Sequence, residues 1–142
     1  MNVVFHCPPS DEARGKLLKA VALASPGIRL EVVPGVPALA ARLREPMDTI
    51  GLVVIKATDP DHLQQVTDLR KSLRQVRVAI VLPDTHPNTV ALAHTIHPSL
   101  MTYGENSLLE LTAVLRKLAE IEARFNGTNL DPSDAAANPP GS

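Results

Sequence analysis

The stretch at positions 50–60 decides the fold: Ile50-Gly51-Leu52-Val53-Val54-Ile55-Lys56-Ala57-Thr58-Asp59-Pro60. Its first six residues carry no polar side chain, which is typical of a strand buried on both faces of a parallel sheet. Asp59 and Pro60 then indicate a helix start, because Asp is a good N-cap and Pro fits the first helical turn. Lys56 lies at the junction, where open α/β sheets carry their functional groups.

The same pairing of strand and helix signals occurs five times along residues 1–125. The predicted strands cover Val3–Cys7, Ile28–Val33, Thr49–Ile55, Val76–Leu82 and Leu100–Tyr103. The predicted helices begin at Ser10, Pro37, Asp59, near Pro87 and at Ser107, where Ser107 and Glu110 have the spacing of a capping box. Short connections of this kind predict an α/β fold with a doubly wound, five-stranded parallel sheet and five helices. The flavodoxin-like order 2-1-3-4-5 puts the most apolar strands in the middle.

Length and composition indicate one domain, because 142 residues of which 44% are hydrophobic can bury a real core. Only 2% are aromatic, so that core must come from Val, Leu, Ile and Ala. No apolar run reaches the roughly 20 residues of a membrane span, and the N-terminus lacks the features of a signal peptide. We therefore expect a cytoplasmic protein. From Asn126 onward, repeated Pro, Gly and Asn predict a disordered tail or linker over residues 126–142.

Residues 1–125 resemble a response-regulator receiver domain of the CheY-like superfamily. The resemblance rests on length, on the order of elements and on the run Tyr103-Gly104-Glu105-Asn106-Ser107-Leu108-Leu109-Glu110-Leu111 that leads into the last helix. It implies a role in bacterial signal transduction. Receivers take up a phosphoryl group on an aspartate that ends strand three, with an acidic pair after strand one that holds Mg²⁺. Ser or Thr ends strand four, and Lys follows strand five.

This chain departs from that pattern at every position. Strand one ends in Phe5-His6-Cys7 and is followed by Pro8-Pro9, and the first acids, Asp11 and Glu12, come only at the predicted helix start. Lys56 stands about where the phosphorylated aspartate would be, and no lysine occurs from position 99 to 107. A lysine ammonium repels Mg²⁺ and is a poor phosphoryl acceptor. The implied class is a pseudo-receiver with a degenerate phosphorylation pocket made of His6, Cys7, Lys56, Pro83 and Thr85.

Two other functions stay open. If the side chains of His6, Cys7 and Lys56 converge, a desolvated amine and a sensitised thiol would suit a small enzyme or a ligand sensor. The alternative for Cys7 is a buried small hydrophobe, and for Lys56 a side chain that reaches water or pairs with Asp11, Asp59 or Asp84. A divergent receiver phosphorylated at a displaced aspartate, Asp59 or Asp61, is the third hypothesis.

The predicted surface for partners runs from helix four through strand five to helix five, and its residues are Leu92, Thr95, Ile96 and Tyr103. Helix four is more apolar than one buried stripe requires, which favours association, although its alanines are also good helix formers. We expect a protein partner, with a second copy of this chain as one candidate. The net charge of −1 and the lack of a Lys/Arg block argue against nucleic acid.

We expect no catalytic activity, no cofactor and no metal. The loop after strand one has no glycine, so it fits neither a dinucleotide-binding fingerprint nor a phosphate-binding loop. His94 and His97 are three residues apart on one predicted helix face, near His86, but no carboxylate or cysteine is in register with them. Asp59-Pro60-Asp61-His62 contains Asp-x-x-His, but it does not follow strand one and no glycine comes after it, so it is not interpreted as a cobalamin motif.

Overall fold

The computed structural model describes residues 2–7, 15, 16, 19, 27–46, 49–104 and 107–129, with side chains as far as residue 122. The strands are β1 Asn2–His6, β2 Arg29–Val33, β3 Ile50–Lys56, β4 Val78–Leu82 and β5 Leu100–Tyr103. They form one parallel sheet with the order β2-β1-β3-β4-β5. The prediction of a doubly wound, flavodoxin-like and CheY-like fold is confirmed.

The helices with bounds in the described part of the chain are α1 Val36–Arg44, α2 Pro60–Thr67, α3 Arg70–Leu73, α4 Pro87–His94 and α5 Ser107–Asn129. α5 includes the first four residues of the predicted tail, 126–129. The helix predicted from Ser10, with Asp11 and Glu12, falls mostly outside the described residues, and so do residues 130–142. Among the described residues no helix is long and apolar enough to cross a membrane.

The helix predicted after Asp59 is divided into α2 and α3. The Thr67 hydroxyl donates to the carbonyl of Gln64 at 2.7 Å, and the amide of Leu69 donates to the carbonyl of Val66 at 2.9 Å. Both bonds span three residues, so the backbone tightens at the end of α2. Val66, Thr67 and Asp68 are also poor helix formers, and the first two stiffen the turn because they are β-branched.

The sheet buries an apolar layer on each face, because successive side chains of a strand point to opposite sides. One layer, called here the α2 face, packs under α1, α2 and α4 and includes Val4, Val53, Ile55, Leu39 and Leu63. The other, called the α5 face, packs under α5 and includes Val3, Phe5, Leu52, Val54 and Leu115. Two neighbouring residues of one strand therefore belong to different layers.

α4 ends in a left-handed turn. The amide of His97 donates to the carbonyl of His94 at 3.0 Å, and His97 itself has a φ of 57°. That conformation stops the helix, and Pro98 prevents it from resuming. His94 is the last residue of α4 and His97 lies beyond it, so the prediction that the two share one helix face is wrong.

Candidate functional site

The candidate site lies at the carboxyl edge of the sheet, where β1, β3 and β4 end. Lys56 is the last residue of β3 and is half-buried, opposite Val81 of β4. Pro83 follows β4 and is half-buried, whereas Thr85 is exposed two residues further along the loop. These positions are the ones that a doubly wound sheet offers to a ligand or a partner.

His6, Cys7 and Lys56 do not converge. Cys7 is fully buried on the α5 face, among side chains that include Phe5 and Leu115. Alternation along β3 puts Lys56 on that same face, because Ile55 belongs to the opposite layer. His6 bonds instead to a residue of α2, so the structure separates the imidazole from the thiol and the amine.

His6 is 1% exposed, and both nitrogens of its ring have partners. Nδ1 lies 2.9 Å from the carbonyl oxygen of Val33 in β2, and Nε2 lies 2.7 Å from Nε2 of His62 in α2. The two rings are tilted by 50°, with centroids 4.9 Å apart. A buried polar side chain is thus satisfied on both sides, as a low-dielectric environment requires.

His62 is placed by the start of α2. Its amide donates to Oδ1 of Asp59, the N-cap residue, at 2.8 Å. Its ring nitrogen Nδ1 accepts from the amide of Thr58 at 3.1 Å. The turn between β3 and α2 therefore holds the ring toward β1, and the side chain spans the gap between two neighbouring strand ends.

The two ends of this chain of bonds fix the position of every proton. The amide of Thr58 is a donor, so Nδ1 of His62 is the acceptor and the proton of that ring is on Nε2. Nε2 of His62 then donates to Nε2 of His6, whose own proton is on Nδ1 and is donated to the Val33 carbonyl. Both imidazoles are neutral in this arrangement, and no other placement of protons satisfies all three contacts.

Burial favours the same neutral state. Desolvation lowers the pKa of His6, and the charge that His62 would carry lowers it further, while the bond to Val33 acts in the opposite direction. Desolvation also lowers the pKa of His62, opposed by the attraction of Asp59. Each ring therefore resists protonation more than an exposed histidine does.

A cavity of about 390 Å³ opens beside the pair. Its lining residues are His6, Pro34, Gly35, Val36, Thr58, Asp59, Asp61, His62 and Gln65. The lining is polar on the α2 side and comes from the turn between β2 and α1 on the other. Any change in the contact between the two histidines therefore changes the shape of this cavity.

The carboxylates nearest the edge serve as structural acceptors. Oδ1 and Oδ2 of Asp59 accept from the His62 amide and, at 3.4 Å, from the Thr58 hydroxyl. Oδ1 of Asp84 accepts from the amide of His86 at 2.9 Å. A hydrogen bond from Thr89, followed by that of His86, lowers the pKa of Asp84 despite some desolvation. Among the described residues no group of three His, Cys, Asp or Glu side chains could hold a metal ion.

The predicted partner surface is only partly exposed. Ile96 is 1% exposed and belongs to the core on the α2 face, so its assignment to that surface is wrong. Leu92 is half-buried and lines a cavity between α2 and α4, whereas Thr95 is exposed. Tyr103, at the end of β5, is 49% exposed, and Leu109 of α5, which the pattern did not single out, is 73% exposed.

Sequence reasoning found His6 but missed His62 as its partner. One signal was available: in the order 2-1-3-4-5 the first turn after β3 lies beside the end of β1, and a histidine occurs in each. The contact between the two rings depends on the direction of the His62 side chain at the start of α2. That direction follows from the Asp59 cap and from the bond to Thr58.

No protein family model and no curated protein sequence matches this chain. Solved structures do match it. A CheY-like response regulator receiver domain protein from Methanospirillum hungatei is similar with a TM-score of 0.65 and 11% identity, over 87% of this chain and 97% of that chain. A candidate pilus assembly-related protein from Burkholderia pseudomallei is similar with a TM-score of 0.63 and 17% identity, over 84% of this chain and 90% of that chain.

A candidate pilus assembly protein, CpaE, from Burkholderia thailandensis gives a TM-score of 0.62 and 18% identity, over 84% of this chain and 98% of that chain. At these identities the likeness is one of architecture, and it agrees with the observed strand order and parallel register. The chain has the fold of CheY-like receiver domains.

Proposed function

We propose that this domain is a receiver-like signalling module that acts through contact with another protein and is not phosphorylated on aspartate. The observation that carries the proposal is Lys56 at the end of β3, about where the resemblance would have the phosphorylated aspartate. The similarity in fold to a receiver domain supports the signalling role. The absence of catalysis and of a cofactor is part of the same proposal.

The charge of Lys56 argues against phosphoryl transfer at this edge. Phosphoryl transfer to a carboxylate needs a cation to neutralise the oxygens of the transferred group, and receivers hold Mg²⁺ for this purpose. An ammonium at the acceptor position repels Mg²⁺ and supplies no carboxylate oxygen to hold it. The sequence after β1 also begins with Cys7-Pro8-Pro9 in place of an acidic pair.

A displaced acceptor is disfavoured by what the nearby carboxylates do. Both oxygens of Asp59 accept hydrogen bonds at the start of α2, so an acyl phosphate there would cost the helix its cap. Asp84 is used in a similar way before α4. Asp61 is exposed in the first turn of α2 and is the one of these three for which no such bond is recorded among the described residues.

An enzyme built on His6, Cys7 and Lys56 is disfavoured by geometry. The imidazole lies on the α2 face, while the thiol and the amine lie on the α5 face. A general base has to lie within hydrogen-bond reach of the group that it activates, directly or through one water. A five-stranded sheet stands between these groups.

The proposed contact surface is formed by β5 and α5, with Tyr103 and Leu109 as its large exposed hydrophobic side chains. An exposed tyrosine is typical of protein interfaces, and Leu109 adds exposed apolar surface on the helix that follows β5. Two of the similar structures carry names from pilus assembly. Proteins of such an assembly system are therefore the first partners to test, along with a second copy of this chain.

Binding of the phosphoryl mimic beryllofluoride tests the absence of phosphorylation. We expect the amide spectrum of the ¹⁵N-labelled protein to be the same before and after addition of Mg²⁺ and beryllofluoride. Shifts confined to Asp59 and Asp61 that disappear in Asp61→Asn would instead support the displaced acceptor. Lys56→Ala serves as a matched variant, because it removes the ammonium without adding a carboxylate and should also give no response.

A further inference from the structure

The contact between His6 and His62 joins three separate parts of the fold. His6 belongs to β1, its Nδ1 bonds to the end of β2, and its Nε2 bonds to a ring held by the turn between β3 and α2. Both rings form part of the wall of the cavity between the β2–α1 turn and α2.

One added proton is incompatible with this contact. A proton on Nε2 of His6 would face the N–H of His62 across 2.7 Å. A proton on Nδ1 of His62 would face the amide of Thr58 across 3.1 Å. The first event sets two donors against each other beside the buried His6 ring, where an unsatisfied polar contact is costly. The second removes the bond by which the exposed turn holds the His62 ring.

Bound metal meets the same obstacle. To coordinate a cation through Nε2, His62 has to carry its proton on Nδ1, which faces the amide of Thr58. Coordination of a metal through Nε2 would therefore require the His62 ring to leave its position in the turn. The existing bonds accommodate neither a cation nor a second proton.

We propose that His6 and His62 form a proton-sensitive latch, closed while both imidazoles are neutral and opened when either is protonated. Opening releases the β3–α2 turn from the ends of β1 and β2 and widens the cavity beside the pair. The latch concerns the proton as ligand and does not depend on the proposed contact with a protein partner.

The charges around the pair set the pH at which it opens. From α2 and the turn before it, Asp59 and Asp61 line the same cavity, and Asp59 raises the pKa of His62 against the larger effect of desolvation. From the β2–α1 turn, Pro34, Gly35 and Val36 line the cavity and none of them titrates.

Of the remaining charges on the packed elements, Arg29 of β2 and Arg44 of α1 are exposed. On β2 and α1, Glu31 and Arg42 are paired with each other at 2.6 Å. On β3, Lys56 lies on the opposite face of the sheet. Desolvation outweighs the neighbouring groups that favour the charged form of each ring, so both pKa values lie below the ordinary value and opening begins below about pH 6.5. The opening equilibrium then rises by up to about tenfold per pH unit for each histidine that takes a proton.

Imidazole NMR on the intact, ¹⁵N-labelled protein tests the latch. Near pH 7.5 we expect His6 to carry its proton on Nδ1 and His62 to carry its proton on Nε2. On lowering the pH to about 5, the amide signals of Val33, Thr58 and Gly35 should move together with the two imidazoles. A His6 ring with its proton on Nε2 at neutral pH, or amide signals that do not respond, would overturn the proposal.

Two variants and one titration complete the test. His62→Gln keeps an amide donor for His6 but cannot take up a proton. The shift of the Thr58 amide signal on lowering the pH should therefore shrink at least severalfold, and an unchanged shift would contradict the latch. His94→Gln, on the exposed end of α4, is the matched control and should leave the response intact. Addition of one equivalent of Zn²⁺ should leave both imidazoles unshifted, and a joint shift would replace the latch by a metal site.

Discussion

His6 illustrates what one residue of a buried strand requires. The sequence named it as part of the degenerate pocket and, with Cys7 and Lys56, of a possible site, and in the structure its ring contacts neither of these residues. Its partners could not be deduced, because they lie 27 and 56 positions away along the chain. They come from a carbonyl of the neighbouring strand and from a ring whose direction depends on the Asp59 cap.

We predict that the free energy of unfolding falls as the pH drops below about 6.5. The folded pKa values of His6 and His62 lie below the ordinary value, so the unfolded chain binds more protons in that range. Stability is therefore fully present above pH 6.5 and is lost below it, by at most about 1.4 kcal/mol per pH unit for each histidine. Urea unfolding between about pH 8 and 5 measures this slope.

His6→Leu provides the matched comparison for that slope. At pH 8 it should cost about 1–3 kcal/mol, because the Val33 carbonyl and the N–H of His62 lose their partner. The difference from wild type should narrow as the pH falls, since the variant has one proton fewer to bind. A difference that stays constant, or a His94→Gln control with the same behaviour, would argue that folding does not lower the pKa of His6.

At the scale of elements, the start of α5 shows that a residue with the spacing of a helix cap can also bond to a neighbouring strand. Ser107 and Glu110 have the spacing of a capping box, but Glu110 accepts a hydrogen bond at 2.5 Å from the hydroxyl of Thr102 in β5. The helix does begin at Ser107 as predicted. What the spacing could not reveal is that a buried threonine of the edge strand competes for the same carboxylate.

We predict that Thr102→Val lowers the stability by about 1–2 kcal/mol, because it removes a hydrogen bond to a charged acceptor and keeps the shape of the side chain. Glu110→Gln should cost less, since the amide oxygen still accepts. Together the two changes should cost less than the sum of their separate effects. Additive losses in urea unfolding would mean that the charge of Glu110 contributes nothing to the β5–α5 bond.

At the scale of the molecule, strand order follows from composition more directly than any site does. The apolar strands β1, β3 and β4 occupy the centre and the alternating β2 lies at an edge, because only central strands are covered on both faces. Exposure on the outer surface depends on how far each helix is rotated. Leu109 was overlooked for this reason, whereas Ile96 proved to be core because it lies beyond the end of α4, where the chain turns back into the core.

We predict that Tyr103→Glu and Leu109→Glu weaken association of the domain, with itself or with a pilus assembly partner, at least tenfold. A charge in the middle of an apolar contact loses its hydration without gaining a partner. Light scattering measures self-association, and calorimetry measures binding to the candidate partner. Gln65→Glu, exposed on α2, is the control and should have no effect; if all three variants behave alike, the β5–α5 surface is not the interface.

The opposite directions of His6 and Cys7 give the protein two built-in reporters, one for each side of the sheet. Cys7 is the sole cysteine and is fully buried under α5, so the rate at which a thiol reagent labels it measures how often that side opens. The imidazole of the preceding residue reports the other side. If acid loosens only the α2 side, the rate of Cys7 labelling, after correction for the fraction of thiolate, should stay the same while His6 takes up its proton. Two adjacent residues thus distinguish a local opening from a global one.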